Sequence, residues 1–311
     1  MVIVSENSAF GRHQTFILRY SWLTKGFQAF KENPDIFTDD NATVELGVGK
    51  VMVSSIKYWI EAAQLAVTTR SGNAYDFSST KLGDKIFDKI DGLDPYFEDE
   101  GTVWLVHWLL ATNAELATTI FWFFNNFHKA EFTTDEVQNA LTDFIQDSFT
   151  SPVSKNTIKN DVSMLLRMYG RATSNSSGII EESLDSPFSL FGLISQNVHN
   201  KTYKSVSTDK TNLPVDIFGY AINEFMNFLG KDQLPIEDFI YPKEGSISIS
   251  GIFRLSENGL INLLEDLVNK YPSNFELRET AGLHQFYVIE KIDSDKLLES
   301  HYISEQEVKV A

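Results

Sequence analysis

The spacing of apolar positions along the chain predicts a mainly helical protein punctuated by small hairpins. Between Asn41 and Val67, Ala42 and Leu46 lie four apart on one helix. Val53, Ile56 and Ile60 recur at helical spacing on a second. Gly47 stands between them, where a tight turn calls for positive φ, and Val48 follows to plug the angle between the helices. Leu65 and Val67 then begin an extended stretch, Arg70–Asn73 reads as a wing turn, and Lys81–Phe87 (KLGDKIF) forms the short segment after it. The rhythm is that of a winged helix-turn-helix, although a plain helical hairpin satisfies the same positions.

Two further segments repeat this order. From Thr133 to Arg171, Thr133 or Thr134 caps a helix with Glu136 in its first turn and Val137, Leu141, Phe144 and Ile145 as its apolar stripe. After Pro152, Ser154 caps a second helix running to about Met168, with Ile158, Val162, Leu165 and Leu166 inward. Near the C-terminus, Glu257–Tyr271 is an amphipathic helix stopped by Pro272. Strands at Asn274–Glu279 and Gln285–Lys291 follow, joined around Ala281–Gly282. Between these segments, Gly101–Phe127 is a strongly aromatic helical pair that forms a shared core. Ala172–Ser189 is Ser- and Gly-rich without periodicity and marks a boundary or mobile loop. The fold class expected is therefore α+β, with winged helix-turn-helix modules around an aromatic helical core. The expected domains are 1–95, 96–175 and 176–311.

Composition agrees with a globular chain: 42% hydrophobic and 22% charged over 311 residues, with 24 Phe. The absence of Cys excludes disulfides, thiolate metal sites and Cys nucleophiles, and fits a reducing cytoplasm. Met1–Phe10 has neither the basic nor the apolar region of a signal peptide, and no run reaches membrane-spanning length. The net charge of −17 runs against nucleic-acid binding, but it is unevenly spread. Arg12, Arg19, Lys25 and Lys31 occur without an acid between Phe10 and Lys31. Lys155, Lys159, Arg167 and Arg171 face Asp161 alone between Ser151 and Arg171. Acids gather at Asp84–Glu100 and Glu290–Glu307.

Candidate chemistry follows from these clusters. Donors at the N-terminal part of a recognition helix meet DNA, which points to Lys155, Asn156 and Lys159. Arg12, Lys25, Lys50, Lys57, Arg167 and Arg171 complete a cationic set for the phosphate backbone. Gly47–Lys50 (GVGK) lacks the spacing of a nucleotide-binding loop. His13 in FGRHQTF, with Arg12 and Arg19 nearby, is a candidate acid or base beside a phosphate, with Arg19 as its companion. His107, between Val106 and Trp108, reads as a core histidine. Phosphodiester cleavage would call for Mg2+ or Mn2+ on carboxylates, yet Asp35, Glu45 and Lys50 are too loosely spaced to make a signature.

The chain also resembles a known family along nearly its whole length. The blocks are FGRHQTFILRYSWLTKGF at Phe10–Phe27, LGVGKVMVSSIKYW at Leu46–Trp59, GTVWLVHWLL and FWFFNNF within Gly101–Phe127, NTIKNDVSMLLRMYG at Asn156–Gly170, and TAGLHQFYV at Thr280–Val288. They are similar to a bacterial domain-of-unknown-function family of SspB-like subunits, encoded beside phosphoadenosine-phosphosulfate-reductase-like enzymes of DNA phosphorothioation and phage defence. Arg12 and Gln14 stand where the family pattern implies Gly and Glu. The resemblance implies a DNA-engaging subunit that nicks or presents a strand for sulfur insertion. The implied partners are an ATP pyrophosphatase, a cysteine desulfurase and an ATPase. A non-catalytic DNA-binding adaptor and an interaction scaffold for those partners are the alternatives.

Overall fold

The computed structural model describes residues 8–71, 74–172, 185–197, 199–209, 212–241, 247–280 and 283–310. The tip of the first wing turn, most of the Ser/Gly-rich segment and the Ala281–Gly282 joint lie outside these residues. The chain divides into two compact units. The N-terminal unit comprises Ile3–Phe123 and Lys129–Val206, and the C-terminal unit is built from Ser207–Ala311 with the short stretch Phe124–His128.

The N-terminal unit opens with α1 (Tyr20–Glu32), which buries Trp22, Leu23, Phe27 and Phe30. The one-turn helix α2 (Ala42–Glu45) follows, and the chain reverses at Gly47, whose φ is +62°. A side chain would strain that backbone, so glycine is the residue suited to it. Helix α3 (Lys50–Ala62) buries Val53, Ile56 and Ile60, the positions its spacing marked. The antiparallel hairpin β1 (Ala66–Ser71) and β2 (Ala74–Ser79) comes next, in the register Ala66↔Ser79 to Ser71↔Ala74. Helix α4 (Lys81–Phe87) is capped by the Thr80 hydroxyl, which accepts from the Gly83 amide at 3.0 Å. A Cβ on Gly83 would lie 2.1 Å from the Leu65 carbonyl oxygen, so hairpin and helix meet backbone to backbone.

Helix α5 (Glu100–Thr112) is buried from Gly101 onward, which explains its lack of a polar face. Trp104 stacks on Phe191 with ring centres 3.6 Å apart, and His107 Nδ1 meets the Tyr169 hydroxyl at 3.0 Å. His107 is thus a satisfied core histidine. Helix α6 (Thr118–Asn126) leads to the edge strand β3 (Glu131–Thr133) and then α7 (Thr134–Ser148). A reciprocal capping box between Thr133 and Glu136 starts α7. Helix α8 (Lys155–Tyr169) follows, and then β4 (Gly170–Ala172), β5 (Ile194–Asn197) and β6 (Thr202–Lys204). The sheet order is β3-β6-β5-β4, with β4 and β5 parallel.

The C-terminal unit runs α9 (Val215–Leu229), β7 (Gln233–Pro235), α10 (Ile236–Ile240), α11 (Ile249–Phe253) and α12 (Glu257–Lys270). The hairpin β8 (Phe275–Thr280) and β9 (Leu283–Val288) and then α13 (Ser294–Val310) complete it. Here the early strand β7 pairs with the last strand β9, as β3 pairs with β6 in the other unit. The two stretches share one order: helix, short strand, helices, hairpin. The segment α1–β2 has the same order without the first strand. Buried Arg254, in the left-handed region at φ +50°, donates to the carbonyls of Gly251, Phe124 and Phe127. It thereby ties the end of α6 into this unit, and burial lowers its pKa to about 10. The fold is mixed α and β, with helices dominant and small sheets.

Candidate nucleic-acid interface

Helix α8 begins at Ser154, whose hydroxyl accepts from the Thr157 amide at 3.1 Å. Ile158, Val162, Leu165, Leu166 and Met168 face inward and are buried. Lys155, Asn156, Lys159, Asn160 and Ser163 are all exposed. Their spacing places them on one face, toward the helix N-terminus, where free amides and the helix dipole add positive potential. Neither Lys155 nor Lys159 forms an ion pair among the described residues. The facing helix is less favourable: α7 exposes Asp143 and Asp147.

The only acid of α8, Asp161, is turned inward and 2% exposed. Its carboxylate accepts from the Gly11 amide at 3.0 Å and from the Thr119 hydroxyl at 3.0 Å. The third donor is His13 Nε2, at 2.8 Å. His13 Nδ1 accepts from the Thr15 amide at 3.0 Å, so the ring proton sits on Nε2 and points at Asp161. The loop that supplies these donors is strained, with Gln14 at φ +52° and Thr15 at φ +67°. The Ser55 hydroxyl and Arg167 fasten it further, donating to the carbonyls of His13 and Thr15. Beside His13 and Asp161 lies a cavity of about 10 Å3, room for one water at most. Tyr58, also on its wall, donates to the Leu116 carbonyl, and burial followed by the charge of Asp161 pushes its phenol far above the ordinary range.

This arrangement holds α8 in place. Both His13 nitrogens are engaged and the ring is 2% exposed, so the imidazole suits a positioning role. Arg19 is half-exposed, lies 3.8 Å from Asp185 and sits over the Trp22 ring, and the cavity beside His13 is too small for a substrate. Arg12 is exposed beside the clamp. Lys50 is exposed at the first position of α3, while Lys57 lies over the Phe77 ring at 4.9 Å. Arg171 is exposed on β4. Lys25 belongs to a separate groove with Tyr20 and Tyr96. Among the described residues there is no group of three or more His, Asp or Glu able to hold a metal.

The sequence pattern missed Asp161. Its position, three after Ile158 and four before Leu165, put an acid on the inward row and was the available signal.

Residues 10–302 match the family described as "Protein of unknown function (DUF4007)". No curated protein matches the sequence. A magnesium ion-bound crystal structure of SspB is similar, at 25% identity and a TM-score of 0.84, over 96% of this chain and 89% of that one. A further SspB crystal structure is similar at the same identity and TM-score, over 95% and 88%.

Proposed function

This chain belongs to the DUF4007 family, and on that premise we propose that it is the DNA-engaging subunit of a bacterial phosphorothioation system, presenting or nicking a strand for sulfur insertion. The observation that carries the reading is the exposed face of α8, where Lys155, Asn156, Lys159, Asn160 and Ser163 stand without an acid. The order of elements around α8 supports reading it as the recognition helix of a winged helix-turn-helix, with β5 and β6 as the wing. Segment α1–β2 is a second such module, with Lys50 and Arg12 as further phosphate contacts, and the C-terminal unit contains a third. The similarity to SspB supports the assignment to that system. Its partners would be the ATP pyrophosphatase, cysteine desulfurase and ATPase.

In this reading DNA is held by charge. Lys155 and Lys159 neutralise phosphates and release counterions, and Asn156 offers an amide to a base edge. His13 and Asp161 fix the angle at which α8 meets the duplex. Among the described residues no three His, Asp or Glu gather in one place to hold a metal, and no step is assigned to Mg2+ or Mn2+.

The test is binding to duplex DNA across a range of salt. In the Lys155→Ala/Lys159→Ala variant, the slope of log K against log salt should fall by about 2, since each phosphate contact contributes about 0.9. An unchanged slope removes α8 from the interface. A supercoiled-plasmid assay with Mg2+ or Mn2+ separates the two activities: relaxation supports nicking, and binding without relaxation supports the adaptor.

A further inference from the structure

The N-terminal unit carries a second feature that the DNA reading does not use. An open groove of about 530 Å3 lies between the first turns of α1 and the segment 96–98. Such a volume accommodates one or two side chains of a partner. Tyr20, Thr24 and Lys25 stand on the α1 wall, and Tyr96, Phe97 and Glu98 on the other.

The second wall is built in advance. Asp94, buried, accepts from the amides of Glu98 at 2.9 Å and Asp99 at 3.0 Å. Gln28 of α1 donates to the Pro95 carbonyl at 2.9 Å. Phe97 is 2% exposed and held at φ +59°, with its ring against Tyr20 and Phe87. A left-handed conformation at a bulky residue persists only where its surroundings fix it. Anchoring Phe97 displays its neighbours outward: Tyr96 is 61% exposed, and Glu98 is exposed as well.

The chemistry of this groove selects its occupant. Tyrosine faces attract cations, and carboxylates complete their recognition. Exposed Glu98 and Glu100 contribute negative charge, and the charge of Glu100 reaches Tyr20, whose phenol is raised by burial and then by that carboxylate. With Lys25 as its one lining cation and Glu98 as its lining acid, the groove offers a phosphate no cluster of positive charge. Lys25, exposed on the facing wall, suits the carbonyls of a peptide.

We propose that the Tyr20–Tyr96–Glu98 groove docks a Lys- or Arg-bearing segment of a partner protein. The assignment stands whether or not α8 binds DNA.

The test uses the full chain with 13C-labelled tyrosine, titrated with an acetylated, amidated Gly-Arg-Gly-Arg-Gly peptide. Its citrulline counterpart keeps the shape and removes the charge. The arginine peptide should shift the Tyr20 and Tyr96 ring resonances saturably. Binding should weaken about ten-fold for citrulline, and about ten-fold in each of Tyr96→Ala and Glu98→Gln. Both residues are exposed, and unchanged circular dichroism confirms that the variants fold. Equal binding of the two peptides, or unaffected binding in both variants, overturns the proposal. So does an oligothymidylate that shifts the same tyrosines and is not displaced by the arginine peptide, because the groove would then be a nucleotide site.

Discussion

Helices α8 and α12 both precede a hairpin in the order of elements, α8 with β4 intervening before β5 and β6 and α12 directly before β8 and β9, and they treat charge in opposite ways. Helix α8 has one acid, Asp161, and turns it inward to receive Gly11, His13 and Thr119. What remains outside is Lys155 and Lys159. Helix α12 has one cation, Lys270, whose ammonium meets buried Asp216 of α9 at 2.6 Å. What remains outside is Glu257, Glu265 and Asp266. Each helix engages its minority charge in an anchor and exposes the majority charge. The sign of the exposed face is therefore set by which charge the core requires. In the proposed function it is the cationic face of α8, not the acidic face of α12, that would meet a polyanion.

The strongest way to break this comparison is to remove the α8 anchor. Asp161→Ala leaves the buried His13 and Thr119 donors unpaired and should cost about 3 kcal/mol or more. Urea unfolding would measure it, and a loss below about 1 kcal/mol would deny Asp161 its anchoring role. Next is charge reversal. Lys155→Glu/Lys159→Glu should weaken duplex binding about 100-fold at low salt, because four units of charge change sign-wise against the phosphates. Glu265→Gln/Asp266→Gln on α12 should change it little in the same anisotropy assay. Equal effects on the two helices would erase the distinction.

The α12 anchor is expected to be weaker, because Lys270 is partly solvated and escapes to water when unpaired. Asp216→Asn should cost about 1–2 kcal/mol. It should also release the Tyr271 hydroxyl, which donates to Asp216 at 2.6 Å. The phenol of Tyr271 stands above its ordinary range through burial and then this hydrogen bond, so ultraviolet titration of the variant should move it down. The smallest effect concerns the cap of α7. Lys129 and then Thr133 hold the Glu136 carboxyl down at about 2. A carboxylate depressed in the folded state stabilises above its unfolded pKa, and the gain is lost as pH falls through the folded value. Carbon-detected titration of Glu136 should therefore have its midpoint near 2, and Thr133→Ala should raise it.

What was legible in the sequence was local. Gly47 at positive φ, the threonine cap of α7 with Glu136 in its first turn and the Ser154 cap are written within four residues of where they act. The apolar rows of α3 and α8 were equally plain. The clamp was not, because His13 and Asp161 are 148 residues apart and no periodicity connects them. His13 looked available for proton transfer, and its surroundings in space enclose it. The Tyr20–Tyr96 groove was hidden for the same reason: its walls come from separate elements, and the display of Tyr96 and Glu98 depends on the backbone at Phe97.

The interleaving of the two units has a consequence for the order in which the protein is made. Phe124–His128 belongs with the C-terminal unit and supplies the carbonyls that receive Arg254. The ribosome delivers that guanidinium on the order of a hundred residues later, a delay of roughly ten seconds at about 5–20 residues per second. During that interval the nascent N-terminal unit carries an excursion without its proper neighbours, open to water or to a chaperone. A single cut at 206 would make the vacancy permanent, so the halves of this gene product are poor candidates for separate expression.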